Sequence, residues 1–276
     1  MKDPMVKKIF NFAKANYFIT IFIGIILFVG LVSVKKIFYT KPTLIYAKIK
    51  VGQGLWWAGG QKPGIWLANS IKKGDVERDL LGRSIAEVLN VRYYPWYAID
   101  QYDIYLTVKL RINSLGKSKK YNFKRSALGV GAPIELELPS VQVSGTVIEI
   151  SQKPFEDQYT EKTVYLTKQF AYLWEYEAIV IGEGFFDGEN LVFQVIDKKS
   201  DEKKNIISPQ KTVGTNIIGM SISESRQTIT VKAKVMVKEN DGRFVFGEEQ
   251  KLFVGKTFNI LAPSFAFNDY VIAKIE

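Results

Sequence analysis

Hydrophobic residues follow two different patterns along the chain. Residues 17–34 form an apolar run (YFITIFIGIILFVGLVSV) without a charge, whereas apolar and polar residues alternate in short segments beyond residue 43. At about 1.5 Å of rise per residue, a helical run of this length nearly crosses the roughly 30 Å hydrocarbon core of a bilayer. The first pattern therefore predicts a transmembrane helix over residues 17–39, and the second predicts many short strands.

The alternating segments predict a mainly β fold. Residues 44–50 alternate in the manner of a half-buried strand, and similar segments recur up to the C-terminus. Asn240-Asp241-Gly242 between two such segments is a hairpin signal. Helical spacing is scarce, and one short helix is predicted at residues 63–72. Many short strands separated by turns are typical of small β-barrels or β-sandwiches.

An internal repeat predicts two related modules. An offset of 124 residues superposes residues 128–148 on 252–272, and an offset of 123 aligns residues 107–109 with 230–232. The identical pairs of the longer match are Leu128/Leu252, Val130/Val254, Gly131/Gly255, Pro139/Pro263, Ser140/Ser264, Val147/Val271 and Ile148/Ile272. The predicted organisation is a cytoplasmic tail (1–16), a transmembrane helix (17–39), a first β-barrel or β-sandwich module (40–150), a connecting segment (151–172) and a second, related module (173–276).

Positive charge is concentrated around the apolar run. Residues 1–50 hold nine lysines against Asp3 alone, so they account for most of the net charge of +10. The remaining chain has no excess of cations to meet a phosphate backbone, which argues against a nucleic-acid partner. The short basic tail favours a cytoplasmic N-terminus by the positive-inside tendency. We therefore predict a single-pass protein of the cytoplasmic membrane, held in the lipid bilayer by residues 17–39, with its C-terminal domain outside.

The residue types that are missing restrict the chemistry. The chain has no cysteine and no histidine, which excludes Ser/His/Asp and Cys/His triads and the usual zinc sites. Asp75, Glu77 and Asp79 alternate and could together hold a calcium ion, but a solvated turn is the better interpretation. Glu135 and Glu137 alternate with apolar residues, as on the outward face of a strand. We predict no enzyme, no catalytic or metal-binding residue and no cofactor.

Aromatic residues crowd the first module near several glycines. Flat rings beside glycines suit a surface role, namely stacking on a sugar, packing against a protein partner or lying at a membrane interface close to the anchor, and they also suit a module core. Both interpretations stay open from the sequence. The residues predicted as partner or glycan contacts are Trp56, Trp57, Trp66, Trp96 and Tyr97.

Five segments of the first half resemble a bacterial family catalogued as domain of unknown function 4330. They are NSIKKGD (69–75), GRSIAEV (82–88), YDIYLTV (102–108), VG (130–131) and GTV (145–147). The resemblance covers about residues 17–150, and the second copy lacks the Gly-Asp entry of the first. It implies an N-terminal membrane helix followed by a β domain. The family has no assigned activity, so the resemblance implies no catalytic residues.

These patterns together predict a membrane-anchored, extracytoplasmic structural or assembly protein that acts through protein–protein contacts. Protein partners or a homo-oligomer are expected. An alternative is an adaptor-like subunit of a membrane export or transport complex, by analogy with small β modules that follow a single anchor helix. A less favoured alternative is a glycan-processing enzyme that uses carboxylates.

Overall fold

The computed structural model describes residues 16–39, 43–52, 62–95, 101–114, 121–207, 223–240 and 242–276. The chain divides into two compact units, Met1–Thr43 and Leu44–Glu276. Each unit is described by itself below.

The first unit contains the helix α1 (Tyr17–Tyr39), which has the bounds predicted for the N-terminal helix. Its large apolar side chains from Tyr17 to Val32 are all exposed, by 49% to 73%. Among the residues that the structure describes, no helix is both long and apolar enough to cross a membrane. The membrane span thus stays a prediction from the sequence.

The second unit is built almost entirely of strands. In chain order its described elements are β1 (Thr43–Gly52), α2 (Ile65–Ser70), β2 (Val76–Arg78), β3 (Ser84–Pro95), β4 (Tyr102–Ser114), β5 (Tyr121–Phe123), β6 (Ser126–Leu128), β7 (Pro133–Glu137), β8 (Gln142–Ser151), β9 (Tyr159–Tyr172), α3 (Leu173–Ala178), β10 (Gly184–Phe186), β11 (Leu191–Ile207), β12 (Ser223–Asn240), β13 (Arg243–Phe246), β14 (Gln250–Leu252), β15 (Thr257–Leu261) and β16 (Ala266–Ile275). The predicted mainly β class is confirmed.

The strands form two eight-stranded, barrel-like sheets of identical topology. The first has the order β2-β3-β4-β1-β8-β7, with the hairpin β5–β6 attached to β4. The second has the order β10-β11-β12-β9-β16-β15, with the hairpin β13–β14 attached to β12. Adding eight to each strand number of the first sheet gives the second, and one short helix follows the first strand of each. We call β1–β8 with α2 the first module and β9–β16 with α3 the second.

The second module begins earlier than the sequence predicts. Residues 151–172, predicted as a connecting segment, contain β9, which pairs with β12 on one side and β16 on the other. The reason is visible in the burial of Val164 and Leu166, whose alternation places both side chains in the core. Residues 173–276 alone would therefore lack the central strand of their sheet.

Each module has its own hydrophobic core. The first core includes Ile45, Ile49, Leu106, Leu110, Leu136 and Val143. The second includes Leu166, Phe193, Phe258, Phe265, Phe267 and Tyr270. Tyr94 and Tyr105 belong to the first module but pack with the second core. The duplicated sheets thus bury separate sets of apolar side chains and meet at two tyrosines of the first module.

The Pro-Ser match of the repeat is confirmed. Pro139 and Pro263 both occupy the turn between the last two strands of their sheet. The turn of the first module is closed by a bond from the Leu138 amide to the Val141 carbonyl, of 3.0 Å, and the second has the equivalent bond, of 2.9 Å. Proline has no backbone N–H, but a residue in this turn donates no hydrogen bond to a neighbouring strand, so the sheet loses none.

Two other parts of the predicted alignment are wrong. Val147 corresponds to Ile272 rather than to Val271, because equivalent glycine amides donate to the carbonyls of Val147 and Ile272, at 2.8 Å in both modules. The second module has one extra residue in β16, beside Asp269, which has a φ of 64°. The predicted offset of 123 aligns Val108 with Val231, but the strand pairing shows that Val108 corresponds to Ala233. The predicted alignment of residues 107–109 is therefore wrong by two positions.

Candidate functional site

The structure describes one of the five aromatic residues predicted as partner contacts. Trp66 is the second residue of α2, and 57% of it is exposed. Trp56, Trp57, Trp96 and Tyr97 lie outside the described residues. The exposure of Trp66 therefore supports a surface role for this residue rather than a place in the module core.

Trp66 has an equivalent in the second module. Trp174 is the second residue of α3, and 60% of it is exposed. A glycine with left-handed backbone conformation lies eight residues after each tryptophan. It is Gly74 (φ 91°) after Trp66 and Gly182 (φ 89°) after Trp174. Each of these glycine amides donates to the equivalent strand carbonyl at 2.8 Å. The duplication therefore presents an exposed tryptophan at the same position of both modules.

The entry of the second module is Gly-Glu rather than Gly-Asp. Gly182-Glu183 occupies the position of Gly74-Asp75, with the same left-handed glycine. The Asp75 carboxylate accepts a bond from the Lys72 amide at 2.8 Å, whereas Glu183 accepts one from the Ser264 amide at 2.6 Å. The longer side chain thus fixes a different neighbour while the backbone path is kept.

Trp174 belongs to a larger exposed apolar surface, which we call the aromatic patch. Its residues are Phe170, Tyr172, Leu173, Trp174, Val180 and Ile181, with exposures of 36% to 60%. The rings of Tyr172 and Trp174 stack at 6.1 Å and 21°. The Arg226 guanidinium lies 3.1 Å from the centroid of the Tyr172 ring. Large exposed apolar side chains that are grouped in one short segment of the chain mark interaction sites more often than isolated ones do.

Buried polar contacts hold the aromatic patch in place. Glu175 is buried in the first turn of α3 and accepts hydrogen bonds from the Tyr172 amide at 3.1 Å and from the Lys168 ammonium at 2.7 Å. At the other end, the Lys198 ammonium donates to the carbonyls of Tyr176 at 2.6 Å and Ile179 at 2.7 Å. A six-residue helix is marginal by itself, so these caps fix it.

Phe170 lies in a strained conformation within the aromatic patch. Its φ of 56° is in the left-handed region, and it lies at a register shift between β9 and β12. Such backbone costs about 1–3 kcal/mol for a non-glycine residue and clusters at functional sites. The strain leaves the ring in solvent, which core packing cannot explain.

A buried ion cluster joins the two modules. Arg92 of β3 is only 10% exposed at its side chain and has four carboxylates around it. Its guanidinium lies 3.0 Å from Asp157, 3.0 Å from Glu189, 3.4 Å from Glu248 and 3.9 Å from Asp187. Asp157 precedes β9, whereas Asp187, Glu189 and Glu248 lie in two turns of the second module. Arg92 of the first module therefore binds three separate segments of the chain.

Two lysines complete the ion cluster. Lys48 of the first module and Lys238 of the second lie 2.8 Å and 3.1 Å from Asp157, and Lys238 is also 2.5 Å from Glu248. Burial would raise the pKa of Asp157, but the two lysines outweigh it and lower the pKa to about 2. Burial lowers the pKa of Lys238, although Glu248 acts in the opposite direction. For Lys48, burial also acts to lower the pKa, but Asp157 and Glu248 outweigh it and the pKa is raised.

Glycines let two turns of the second module approach the first module closely. The Asp187 carbonyl accepts a bond from the Tyr93 amide at 2.9 Å, and the Asp187 carboxylate accepts one from the Tyr94 hydroxyl at 3.0 Å. A Cβ at Gly188 would lie 2.9 Å from the Tyr93 ring, and one at Gly247 would lie 3.0 Å from the Tyr94 ring. Larger residues at these two positions would separate the modules.

Asp75, Glu77 and Asp79, the candidate calcium ligands, each have a separate partner. Asp79 pairs with Arg83 at 2.7 Å, Glu77 pairs with Lys124, and Asp75 accepts the backbone bond described above. Within the described part of the chain, no group of three or more histidine, cysteine, aspartate or glutamate residues is arranged to hold a metal ion. The outward orientation predicted for Glu135 and Glu137 is confirmed, since both are exposed between buried residues of β7.

A cavity of about 600 Å³ opens beside the module junction. Its lining includes the carboxylates Asp103 and Glu249 and the rings of Tyr105 and Phe253. Lys50 lies 3.4 Å from Asp103 and 2.7 Å from Glu249, so one cation holds both carboxylates.

Sequence reasoning missed Trp174, the aromatic patch and the ion cluster. The aligned glycines at 74 and 182 carry a signal that reveals Trp174, because Trp66 and Trp174 then superpose. The ion cluster has no local signal. No family model, curated protein or solved structure matches the chain, so the resemblance to the domain-of-unknown-function family stays a prediction.

Proposed function

We propose that this protein is a non-enzymatic, membrane-anchored scaffold that holds partner proteins outside the cytoplasm. The observation that carries the proposal is the repeat-related display of Trp66 and Trp174 on one compact unit. Duplication preserved an exposed tryptophan on a short helix in both modules, although neither side chain contributes to a core.

The aromatic patch supports protein binding. Binding hot spots are enriched in tryptophan, tyrosine and arginine that pack closely. Tyr172, Trp174 and Arg226 form such a group, and Leu173 and Ile181 add apolar area beside it. A rigidly capped group of this kind loses little conformational entropy when a partner binds.

The module junction supports a scaffold rather than two independent binding domains. Arg92, Asp157 and Glu248 tie the modules together, and the turn at Gly188 leaves no room for a side chain between them. Two binding surfaces at a fixed separation increase avidity only for a partner whose geometry matches that separation. The partner of this scaffold is therefore a protein with two contact points or a repeated protein.

The sequence and the exposure of α1 support the membrane anchor. The uncharged run of residues 17–34 and the flanking lysines match a membrane helix with its N-terminus inside. The large apolar side chains of α1 from Tyr17 to Val32 are exposed. A lipid environment would cover this apolar surface. In the proposed orientation, residues 40–276 lie outside the cytoplasm.

Alanine substitution of the two tryptophans tests the binding function. We expect the full-length protein in mild detergent to capture partner proteins, and Trp174→Ala to lose at least tenfold of the captured amount, in line with a hot-spot cost above about 1.4 kcal/mol. Trp66→Ala should reduce capture as well, and the double variant should abolish it. Quantitative mass spectrometry of the captured proteins measures the effect.

Phe253→Ala is the matched control, because this phenylalanine is 54% exposed but lies outside the aromatic patch. Capture by this variant should equal that of the wild type. Equal capture by all variants would contradict the proposal. Recovery of transporter subunits as the partners would favour the adaptor alternative, since the scaffold function would then serve an export or transport complex.

Protease accessibility tests the topology. A protease added to intact cells should digest residues 40–276 and spare the N-terminal tail, because the basic tail is expected inside. Immunoblots with tags at each end measure the two products. Digestion of the tail with protection of the large domain would reverse the orientation.

A further inference from the structure

Two turns form the end of the second module that docks on the first module. They are residues 187–190, between β10 and β11, and residues 247–249, between β13 and β14. Both contact Arg92, through Asp187, Glu189 and Glu248. Residues 185–191 and 247–249 hold four carboxylates and no cation. This end is therefore an acidic surface that fits the cations of the first module.

The first module has the same end, built from equivalent turns. Residues 79–83 connect β2 to β3, and residues 124–125 connect β5 to β6. The Asp79 carboxylate accepts the amides of the second and fourth residues after it, both at 2.9 Å. Asp187 likewise accepts the second and third residues after it, at 2.9 Å and 2.8 Å. The two turns are thus the same structural device in two modules.

The side chains of this end are reversed in character. Leu80-Leu81 replaces Gly188-Glu189 immediately after the aspartate. Lys124-Arg125 replaces the turn that contains the two glutamates. Residues 77–83 and 124–125 hold four cations and two carboxylates, in contrast to the acidic end of the second module. An end that binds cations in one module is basic and apolar in the other.

The two leucines are displayed to solvent and lie near the cations. Leu80 is fully exposed and Leu81 is 66% exposed. Lys124 pairs with Glu77 of β2, which places the basic turn beside the strand that leads to the leucines. Water is a poor environment for a fully exposed leucine at a turn tip, where polar residues are the rule.

We propose that Leu80, Leu81, Lys124 and Arg125 form a second membrane contact that seats the first module on an anionic lipid surface. Apolar side chains at the tip enter the boundary between headgroups and acyl chains, and the adjacent cations contact anionic headgroups. The inference rests on the proposed membrane anchoring. It adds a second point of contact with the bilayer.

The charge of this end supports an anionic lipid surface as the occupant. Four cations and two carboxylates lie in the turns and adjoining strand residues that carry the two exposed leucines, and anionic headgroups attract such an excess of cations.

A second copy of the chain fits this end less well. The position of Arg92 corresponds to Lys199 in the second module. Docking of Lys124 and Arg125 on the equivalent face of another copy would bring like charges together, which is unfavourable. Charge therefore favours lipid over self-association.

A single introduced thiol tests the proposal, because the chain has no cysteine. Leu80→Cys in the full-length protein is labelled with an environment-sensitive fluorophore and reconstituted into phosphatidylcholine vesicles with or without phosphatidylglycerol. We expect a blue shift and quenching by lipid-borne quenchers in the anionic vesicles. Both effects should weaken with added salt and in the Lys124→Gln/Arg125→Gln background.

Val254→Cys is the matched control, because this residue is 60% exposed in a turn of the second module and does not belong to the Leu80 end of the first module. Its label should stay unquenched. An unquenched label at Leu80 in vesicles that contain the inserted anchor would overturn the inference and leave the proposed function standing. A Leu80 shift that needs high protein concentration rather than lipid would overturn it in favour of self-association. Absence of any association with vesicles would overturn both.

Discussion

Arg92→Met is expected to lower the free energy of unfolding by about 3–5 kcal/mol. The substitution removes the cation that lies within 3.4 Å of Asp157, Glu189 and Glu248. These carboxylates then stay at the junction with less positive charge beside them. Removing one partner from a buried ion cluster costs more free energy than the intact cluster contributes to stability. Urea denaturation in mild detergent, followed by tryptophan fluorescence, measures the change.

Arg83→Met is the matched control for this measurement. Arg83 also pairs with an aspartate, at 2.7 Å, but its side chain is 41% exposed, and such pairs contribute less than about 1 kcal/mol. Similar small effects of both substitutions would contradict the structural role of the ion cluster. Asp157→Asn combined with Arg92→Met should cost less than the sum of the two single variants, because the two groups act on each other.

The strand pattern and the duplication were readable from the sequence because both depend on local signals. Alternation of apolar residues marks β15 and β16, and Pro139 and Pro263 mark the same turn in both sheets. These features need only neighbouring residues to be recognised. The repeat then predicts related sheets, although the segment before Leu128 carries too few identities to show where the second module begins.

A single alignment offset could not have found the equivalent tryptophans. Trp66 and Trp174 differ by 108 residues, whereas Leu128 and Leu252 differ by 124. The difference arises mostly between these positions, where β11 and β12 form a longer hairpin than β3 and β4 do. Hairpin length varies easily between duplicated modules because loops lie at the surface.

The module junction was not readable from the sequence for a different reason. Lys48, Arg92, Asp157, Lys238 and Glu248 come from five separate parts of the chain. Each of them alone has the appearance of an ordinary charged residue on the polar face of a strand or in a loop. Only the packing of one module on the other removes them from water, and periodicity contains no information on that packing.

Phe267→Ala is expected to destabilise the second module by about 3–5 kcal/mol, because it removes a fully buried ring and leaves a cavity. The ring packs against Phe193, Phe265 and Tyr270, with centroid separations of 5.0–5.3 Å. Few neighbouring groups can move to fill the space, since the surrounding rings already contact one another. Limited proteolysis should therefore detect the first cleavages of the variant within residues 152–276.

The first module should resist the protease longer in this variant, because its own core of Ile45, Leu106 and Leu136 does not include Phe267. Tyr94 and Tyr105, the two buried tyrosines of the junction, would lose packing partners, but they lie outside that core. Phe253→Ala, which truncates an exposed ring, should leave the cleavage pattern of the wild type unchanged. Loss of both modules at the same rate would show that the junction couples them into one cooperative unit, and the duplicated sheets would then not be separable units of stability.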